Sequence, residues 1–262
     1  MEYTFISGAT GGIGKAFCKL CAEMKNNLYI TGRNDKKLQE LKSELLSINP
    51  EISIEYFACD LTSEQSRNDM LIDIDSKGIK FSRIINVAGV DIQKAFIDYT
   101  PEKVLFQLRV NCEATVSLTH ALLSKRAENL EIITISSMSG VSPMPYFALY
   151  SATKAMLTNF FTALHYELKK SNAKVTVVLP GGVPTRPDII EDIKGQGLWG
   201  KLSSKSAEFV AKGAIRAVRK NKIKYVPGFF NKFLYCLMKI APKRITLNFI
   251  ANRWKKQTKD AF

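Results

Sequence analysis

Residues that bind metals or form disulfides are scarce in this sequence. Its 262 residues include two histidines and five cysteines. The positions of Cys18, Cys21, Cys59, Cys112 and Cys236 match neither a zinc site nor a disulfide framework. We therefore expect no bound metal, and reduced thiols of the kind found in cytoplasmic proteins.

Long hydrophobic runs are also lacking. No stretch reaches the ~20 apolar residues that cross a bilayer, and the first residues read as an apolar strand rather than a secretion leader. The sequence has no internal repeat and no linker rich in proline, glycine or serine, so we expect one domain over residues 1–226. Because 46% of the residues are hydrophobic and 24% are charged, the composition excludes a disordered or fibrous chain.

Acidic residues are rare in the last part of the chain. From Arg216 to Phe262 there are thirteen Lys or Arg and one acid, Asp260, whereas residues 1–215 carry 25 basic and 23 acidic residues. The net charge of +14 therefore comes mostly from the tail. A basic tail is typical of contact with nucleic acid or with an anionic membrane surface.

Apolar strand patterns alternate with helical patterns over the first 180 residues. The strand segments are 3–6, 28–31, 53–57, 83–87, 131–135 and 174–179. The helical segments are 12–25, 35–47, 63–75, 102–125 and 147–170. This order predicts an α/β fold, a Rossmann-like doubly wound parallel sheet with helices on both faces. Tyr225 and Val226 indicate a short seventh strand.

A glycine-rich turn follows the first strand and opens the first helix. Its residues are Gly8, Thr10, Gly11, Gly12, Ile13 and Gly14. Glycine permits a tight turn and lets a pyrophosphate approach the backbone, and the helix N-terminus offers free N–H groups to that phosphate. The turn therefore predicts a nucleotide site.

The glycines have the spacing Gly-x-x-x-Gly-x-Gly rather than Gly-x-Gly-x-x-Gly. In this spacing and in the segments that follow, the chain resembles the short-chain dehydrogenase/reductase family over about residues 3–226. The resemblance implies an adenine contact by Asp60 and Leu61. Val87 departs from the family pattern, which usually has an asparagine there. The resemblance also implies cofactor contacts after the fourth and sixth strands, by Asn86, Ala88, Gly89, Pro180, Gly181, Val183 and Thr185.

The residues after the second strand bear on the choice of cofactor. Arg33 and Asn34 follow this strand, and no acid occurs at positions 31–34. An acid there would bind the ribose 2′-hydroxyl of NAD, whereas an arginine accommodates the 2′-phosphate of NADP. We therefore expect NADP(H), with NAD(H) less favoured. The alternative for Arg33 is a solvated loop residue.

Three side chains near the fifth strand suit proton transfer. Ser137 follows this strand, and Tyr150 and Lys154 lie one turn apart on a helix. A ketone or aldehyde that accepts hydride needs a proton at its oxygen, and a nearby ammonium lowers the pKa of a tyrosine enough to supply one. Ser137 would bind the carbonyl oxygen, and Tyr150 and Lys154 would also contact the cofactor. The resemblance adds Asn111, as the holder of a water that feeds the proton relay.

The segment 187–205 departs from the regular alternation as a longer connection, and by resemblance it closes over the substrate. The expected substrate contacts are Ser137, Met138, Met144, Tyr146 and Trp199. Because this wall is mostly apolar, we expect a hydrophobic carbonyl substrate. The alternative is that these residues only pack the lid against the body.

The basic tail, residues 227–262, predicts a helix over about 228–241 between Pro227 and Pro242. A second apolar stretch runs from Ile245 to Trp254. Three alternatives follow. The tail packs on its own domain, or it makes a peripheral membrane contact, or it binds nucleic acid, which the charge alone supports and which we disfavour.

Taken together, these features predict NADPH-dependent reduction of a ketone or aldehyde, with Tyr150 as the proton donor. The alternatives are an NAD-dependent alcohol dehydrogenase and a catalytically idle, nucleotide-sensing module. The resemblance also implies a homodimer through the helices at 102–125 and 147–170. We expect a cytoplasmic protein. The alternative is that it associates with a membrane through residues 228–262.

Overall fold

The computed structural model describes residues 1–255. Its centre is a seven-stranded sheet with the order β3-β2-β1-β4-β5-β6-β7, and every neighbouring pair is parallel. The strands are β1 Glu2–Ser7, β2 Asn27–Gly32, β3 Ile54–Ala58, β4 Lys80–Asn86, β5 Arg126–Ile135, β6 Ala173–Val178 and β7 Lys224–Tyr225. The predicted doubly wound sheet is confirmed, including its short seventh strand.

Helices cover both faces of the sheet. They are α1 Gly12–Glu23, α2 Asp35–Ile48, α3 Glu64–Ser76, α4 Pro101–Leu108, α5 Ala114–Leu123, α6 Ala148–Glu167, α7 Pro187–Gly195, α8 Gly197–Ser203, α9 Ala207–Arg219, α10 Phe229–Ile240 and α11 Lys243–Trp254. Successive strand residues point to opposite faces, so Phe5 lies in one core and Ile6 in the other. Both are fully buried, which explains why the strands are continuous apolar runs.

The strand order reverses at β1, which lies between β2 and β4. Ser7 pairs with Asn86 at the carboxyl ends of β1 and β4, and Ile135 pairs with Val178 at the ends of β5 and β6. In open parallel sheets the ligand crevice lies outside the carboxyl ends, at this reversal of order. The fold therefore brings the loops after these four strands to one edge.

The helix predicted over 102–125 is interrupted. α4 and α5 are joined by a π-helical turn, Arg109–Glu113, which contains Asn111. A π-turn bonds each N–H to the carbonyl five residues earlier instead of four, and such turns are frequent at functional sites. Helical periodicity alone predicted a regular helix here, because the segments on both sides of the π-turn are themselves α-helical.

The segment 187–205, predicted as a longer connection, is largely helical, because α7 and α8 occupy most of it. The helix predicted over 228–241 is present as α10, and the second apolar stretch forms α11. None of the helices within residues 1–255 combines the length and the apolar content that crossing a bilayer requires.

Gly14 gives a direct test of the turn between β1 and α1. A Cβ atom on Gly14 would lie 2.1 Å from the carbonyl oxygen of Gly8, whereas nothing lies within 4 Å of a Cβ on Gly195. We expect Gly14→Ala to lower the free energy of unfolding by about 2–3 kcal/mol, because the backbone itself must move. Gly195→Ala is the matched control and should change it by less than about 1 kcal/mol. Urea denaturation measures both, and equal effects would contradict the packing described.

Candidate active site

The glycine turn lies against the loop after β4. Gly8 has a positive φ of 65°, and a Cβ on it would lie 2.9 Å from the backbone of Ala88. The Ser7 hydroxyl accepts hydrogen bonds from the backbone N–H groups of Val87, at 3.2 Å, and Ala88, at 3.3 Å. Only glycine suits both the conformation and the close approach. This contact brings two predicted cofactor segments together.

The loop after β6 reaches the same turn. A Cβ on Gly12 would lie 2.5 Å from the side chain of Thr185. α1 begins at Gly12, and no side chain among residues 1–255 caps its N-terminus, whereas Asn34, Ser63 and Thr100 cap α2, α3 and α4. The free N–H groups and the positive end of the helix dipole suit a diphosphate. A dinucleotide therefore fits these residues.

The predicted adenine-side residues have structural partners of their own. The side-chain oxygen of Asn34, Oδ1, accepts a hydrogen bond from the backbone N–H of Lys37 at 2.9 Å. Asp60 accepts hydrogen bonds from Thr62, from its N–H at 2.9 Å and from its hydroxyl at 2.8 Å. Arg33 is exposed, and its guanidinium carbon lies 5.9 Å from the centre of the Phe106 ring. Asn34 and Asp60 are exposed too, but of the three side chains Arg33 is the one whose positive charge attracts a phosphate.

Asn86 points into the fold instead of toward the crevice. Its amide nitrogen donates to the Thr119 hydroxyl at 3.0 Å and to the Thr134 hydroxyl at 3.2 Å. Pro180 contributes a backbone contact, because its carbonyl accepts from the N–H of Met138 at 2.9 Å. Val183 is buried. The structure thus gives Asn86 the role of joining β4 to α5 and β5.

Asn111 fastens the loop after β4 to α6. Its side-chain oxygen accepts from the N–H of Val90 at 2.8 Å. Its amide donates to the carbonyl of Val90 at 2.9 Å and to the hydroxyl of Thr153 at 3.0 Å. A Cβ on Gly89 would lie 3.2 Å from the Lys154 Nζ atom and 3.4 Å from the Asn111 oxygen. The three residues therefore converge at one point of the crevice.

Lys154 is buried, and its ammonium group is fixed by a hydrogen bond. Its Nζ donates to the carbonyl of Ile135 at 2.9 Å, and it lies 5.7 Å from the centre of the Tyr150 ring. Burial disfavours a charge, and it lowers the pKa of Lys154 from 10.5 to about 8, against the opposing effect of the Asp91 carboxylate. The ammonium is thus within the distance of a cation–π contact with the Tyr150 ring.

The pKa of Tyr150 departs from the sequence-based expectation. Burial raises it well above its ordinary value, and the Asp91 carboxylate raises it further. A hydrogen bond with Ser137 and the charge of Arg186 act in the opposite direction, and the net effect is an increase. The expected lowering by Lys154 is not found: Lys154 is not among the groups that shift this pKa, and the loss of water around the phenol outweighs the effects of Ser137 and Arg186.

Ser137 follows β5 and caps a single 3₁₀ turn, Met138–Gly140. Its hydroxyl oxygen accepts from the N–H of Ser139 at 3.0 Å, and the two hydroxyls are 3.1 Å apart. A Cβ on Gly140 would lie 2.7 Å from the Lys154 carbonyl carbon. This close packing of the turn on α6 sets the Ser137 hydroxyl beside Tyr150.

Asp91 and Arg186 belong to the site although motif reasoning missed them. The Arg186 guanidinium donates to the Asp91 carboxylate at 3.0 Å and to the Asp188 carboxylate at 2.9 Å. Burial raises the pKa of Asp91 in spite of this ion pair. The pair joins the loop after β4 to the start of α7. Asp91 lies two residues after Gly89, and Arg186 directly follows Thr185. Their closeness to predicted site residues is the sequence feature that could have identified them.

The predicted substrate wall meets the C-terminal helices. The Phe147 ring stacks on Tyr150, with centres 4.4 Å apart, and on Trp254, with centres 5.9 Å apart. Met144, Phe147 and Ile250 form a small buried cluster. These contacts correspond to the first alternative for the tail, packing on its own domain.

Two further predicted wall residues have distinctive surroundings. Tyr146 has a positive φ of 63°, a strained backbone of the kind that clusters at functional sites. Trp199 lies against Phe230 and Phe249 from the C-terminal helices. Its ring therefore packs between the lid and the tail.

The lowered pKa of Lys154 makes stability depend on pH. Between pH 8 and 10.5 the unfolded chain binds one more proton at this residue than the folded protein, so the free energy of unfolding rises with pH across that range. Below pH 8 Lys154 is protonated in the folded protein as well, so the free energy of unfolding is lowered by the full cost of burying the ammonium. We expect Lys154→Met to raise the free energy of unfolding at neutral pH by on the order of 1–3 kcal/mol, and the gain to shrink by about pH 10.

Denaturation in urea at several pH values measures this difference between the variant and the unmodified protein. The exposed Lys36 supplies a control, since Lys36→Met should give a difference that is small at every pH. A gain for Lys154→Met that stays constant with pH would contradict the assignment.

Comparison with known proteins agrees with this arrangement. A family model described as short chain dehydrogenase matches residues 2–190. The chain is 32% identical over 187 residues to a very-long-chain 3-oxoacyl-CoA reductase of Kluyveromyces lactis, covering 68% of this chain and 54% of that protein. It is 28% identical to dehydrogenase/reductase SDR family member 7B of Xenopus laevis, covering 97% of this chain and 82% of that protein. The chain thus spans about half the length of the yeast relative.

Solved structures share the fold. One from a study of 7beta-hydroxysteroid dehydrogenase stereoselectivity has a TM-score of 0.87 at 22% identity, over 95% of this chain and 96% of that one. A short-chain dehydrogenase from Sphingobium yanoikuyae in complex with NADPH has a TM-score of 0.76 at 21% identity, over 100% of this chain and 98% of that one. With its parallel sheet, its glycine turn and this family match, the chain belongs to the short-chain dehydrogenase family.

Proposed function

We propose that the protein reduces a hydrophobic ketone or aldehyde with NADPH, using Tyr150 as the proton donor. The observation that carries this proposal is the grouping of Tyr150, Ser137 and Lys154 at the carboxyl edge of the sheet. Ser137 is near enough to Tyr150 to act on its pKa, and the Lys154 Nζ atom lies 5.7 Å from the centre of the tyrosine ring. Beside them is the turn that fits a dinucleotide.

The cofactor would be held by backbone groups more than by side chains. The uncapped N–H groups at Gly12, Ile13 and Gly14 suit its diphosphate, and Thr185 adjoins them. A bound nicotinamide supplies the hydride that the reduction requires. Loops after β4 and β6 flank the turn, where Ala88 lies against Gly8 and the missing side chain of Gly89 leaves space beside Lys154.

The chain's own residues would supply the proton that the carbonyl oxygen needs. Tyr150 carries its proton at neutral pH, but its raised pKa makes it a weaker acid, so donation to the carbonyl oxygen needs help from its neighbours. Ser137 would hold that oxygen by a hydrogen bond, and the Lys154 charge would stabilise the phenolate that remains.

Asn111 would serve the relay through its backbone. Its side chain is already engaged with Val90 and Thr153. In a π-turn the regular sequence of backbone hydrogen bonds shifts by one residue, which leaves a carbonyl available to a water. The water proposed on the basis of the family resemblance therefore belongs to the main chain of this turn.

The substrate class follows from the surroundings of Tyr150. Met144, Phe147, Ile250 and Trp254 present apolar surface beside it. The yeast relative is named for a very-long-chain acyl substrate, and the 7beta-hydroxysteroid dehydrogenase for a steroid. The very long acyl chain and the steroid skeleton are both large and apolar. A hydrophobic carbonyl compound is the class of substrate that these apolar side chains would bind beside Tyr150.

Homodimer formation through the helix pair at 101–123 and through α6 also remains a proposal. Its support is that these helices expose the apolar side chains Leu105, Leu108 and Met156. A cytoplasmic location is likewise a prediction. It is consistent with the five cysteines, none of which is paired in residues 1–255.

Tyr150→Phe tests the reaction. Removing the hydroxyl should lower kcat by roughly 100-fold or more, because proton donation is lost. The thermal shift produced by NADPH should persist, since the ring and the turn remain. Tyr166, on the same helix and exposed, provides the control variant Tyr166→Phe. Full turnover by Tyr150→Phe would reject the assignment, and no turnover by the unmodified protein would favour the idle, nucleotide-sensing alternative.

Arg33 tests the choice of cofactor. Arg33→Ala should weaken NADPH binding by roughly 10- to 100-fold, because a charge-assisted hydrogen bond to the 2′-phosphate is lost. Binding of NADH should change little. Thermal unfolding with each nucleotide measures both, and the exposed Arg219 provides the control Arg219→Ala. A preference for NADH in the unmodified protein would favour the alcohol dehydrogenase alternative.

A further inference from the structure

Large apolar side chains are exposed on three helices near the active site. α8 exposes Leu198, and the four-residue spacing of Phe229 and Phe233 places both on one stripe of α10. Phe229 is 87% exposed and Ile240, near the end of α10, is 82% exposed. α11 exposes Ile245 and Phe249, again four residues apart. We call the exposed faces of α8, α10 and α11 the lid–tail surface.

The three helices meet at Trp199 of α8. Its ring lies 5.1 Å from that of Phe230 on α10 and 6.3 Å from that of Phe249 on α11. The Arg253 guanidinium stands 5.4 Å from the Trp199 ring centre and donates to the Gln196 side chain at 3.1 Å. The three helices that carry the lid–tail surface are therefore packed against one another at Trp199.

The charge of the lid–tail surface has a single sign. Its helices carry six basic residues and no acid in their sequences, namely Lys201, Lys232, Lys239, Lys243, Arg244 and Arg253. Basic helices with exposed aromatic and aliphatic side chains bind at the headgroup level of membranes, where anionic lipids attract the charges and the apolar groups leave water.

α11 also reaches the active site. Trp254 stacks on Phe147, which stacks on Tyr150, and Ile250 is buried against Phe147. The same helix exposes Ile245 and Phe249. One helix therefore separates the proposed proton donor from whatever covers the lid–tail surface.

We propose that the lid–tail surface docks on a membrane that contains anionic phospholipids. α11 then lies between the bilayer and Tyr150. A second part of the inference rests on the proposed function: the hydrophobic carbonyl substrate is dissolved in the lipid and enters at this surface.

Charge and chemistry favour a lipid surface over the other occupants. A second copy of the chain, docked face to face, would bring basic residues against basic residues with no acid in these helices to pair with them. Nucleic acid would attract the charges, but Leu198, Ile240 and Ile245 would gain little from a phosphate backbone. An anionic bilayer satisfies both the charges and the apolar side chains.

Vesicle sedimentation with the full chain tests the docking. We expect binding to vesicles of phosphatidylcholine with phosphatidylserine, weaker binding to phosphatidylcholine alone, and a decrease with added salt. Ile240→Ser/Ile245→Ser should weaken binding by at least about tenfold, because apolar area is lost. Lys243→Glu/Arg244→Glu should do the same through charge.

Matched controls lie elsewhere on the protein. Ile72 on α3 is 65% exposed, as is Ile245, so Ile72→Ser removes the same exposed side chain at another place. Lys169→Glu/Lys170→Glu reverses two exposed charges after α6. Both controls should bind vesicles within about twofold of the unmodified protein. Absence of vesicle binding, or equal weakening by controls and lid–tail variants, would overturn the proposal.

The alternative occupants give different results. Sedimentation velocity without lipid would show a larger species that Ile240→Ser/Ile245→Ser dissociates if the surface joins two copies. Binding to a single-stranded DNA oligomer but not to vesicles would indicate nucleic acid. Either result, in the absence of vesicle binding, overturns the membrane proposal.

Two ketones separate this inference from the proposed function. One is a long-chain ketone presented in vesicles, and the other is a short ketone soluble in buffer. The lid–tail variants should lose reduction of the first by about tenfold and keep reduction of the second. Vesicle binding without reduction of either ketone would refute the proposed function alone. Reduction of the soluble ketone without vesicle binding would refute the docking alone.

Discussion

The hydrogen bonds of one buried side chain, Asn111, hold the proposed site together. They engage both backbone groups of Val90 and the hydroxyl of Thr153 on α6. Because Asn111 is fully buried, a broken bond there cannot be replaced by a bond to water. The position of Gly89 beside Lys154, and of α6 against the loop after β4, both depend on it. The π-turn that contains Asn111 is the local distortion that this arrangement requires.

Exclusion of water sets the protonation of the site. Burial raises the pKa of Tyr150 and lowers that of Lys154, so it acts against the charged form of both. Asp91 raises both values, and Arg186 pairs with Asp91 from the start of α7. The electrostatics around Tyr150 are therefore coupled to the position of the lid helix. A movement of α7 that parted Asp91 from Arg186 would alter the charge that Tyr150 faces.

The C-terminal helices give this family member its own boundary around the site. Trp254 and Phe147 extend the aromatic stack from Tyr150 outward, while Trp199 ties the lid to α10 and α11. A helix with one face packed in the protein and another rich in exposed apolar residues needs a further surface to cover it. These helices carry basic residues and no acid, so an anionic surface is the kind that would cover them.

The sequence by itself determined the elements whose cause is local. Apolar runs marked the strands, the glycine spacing marked the turn before α1, and two prolines bounded α10. The strand-end rule placed Ser137 at the crevice and helical spacing put Tyr150 and Lys154 on one helix face, whereas the grouping of all three followed from the resemblance to the family. Tertiary structure alone decided the Asp91–Arg186 pair, whose members are 95 residues apart, the contact of Trp254 with Phe147, and the direction of the Tyr150 pKa. The physical reason is that burial and contact between distant residues depend on packing, which no local pattern encodes.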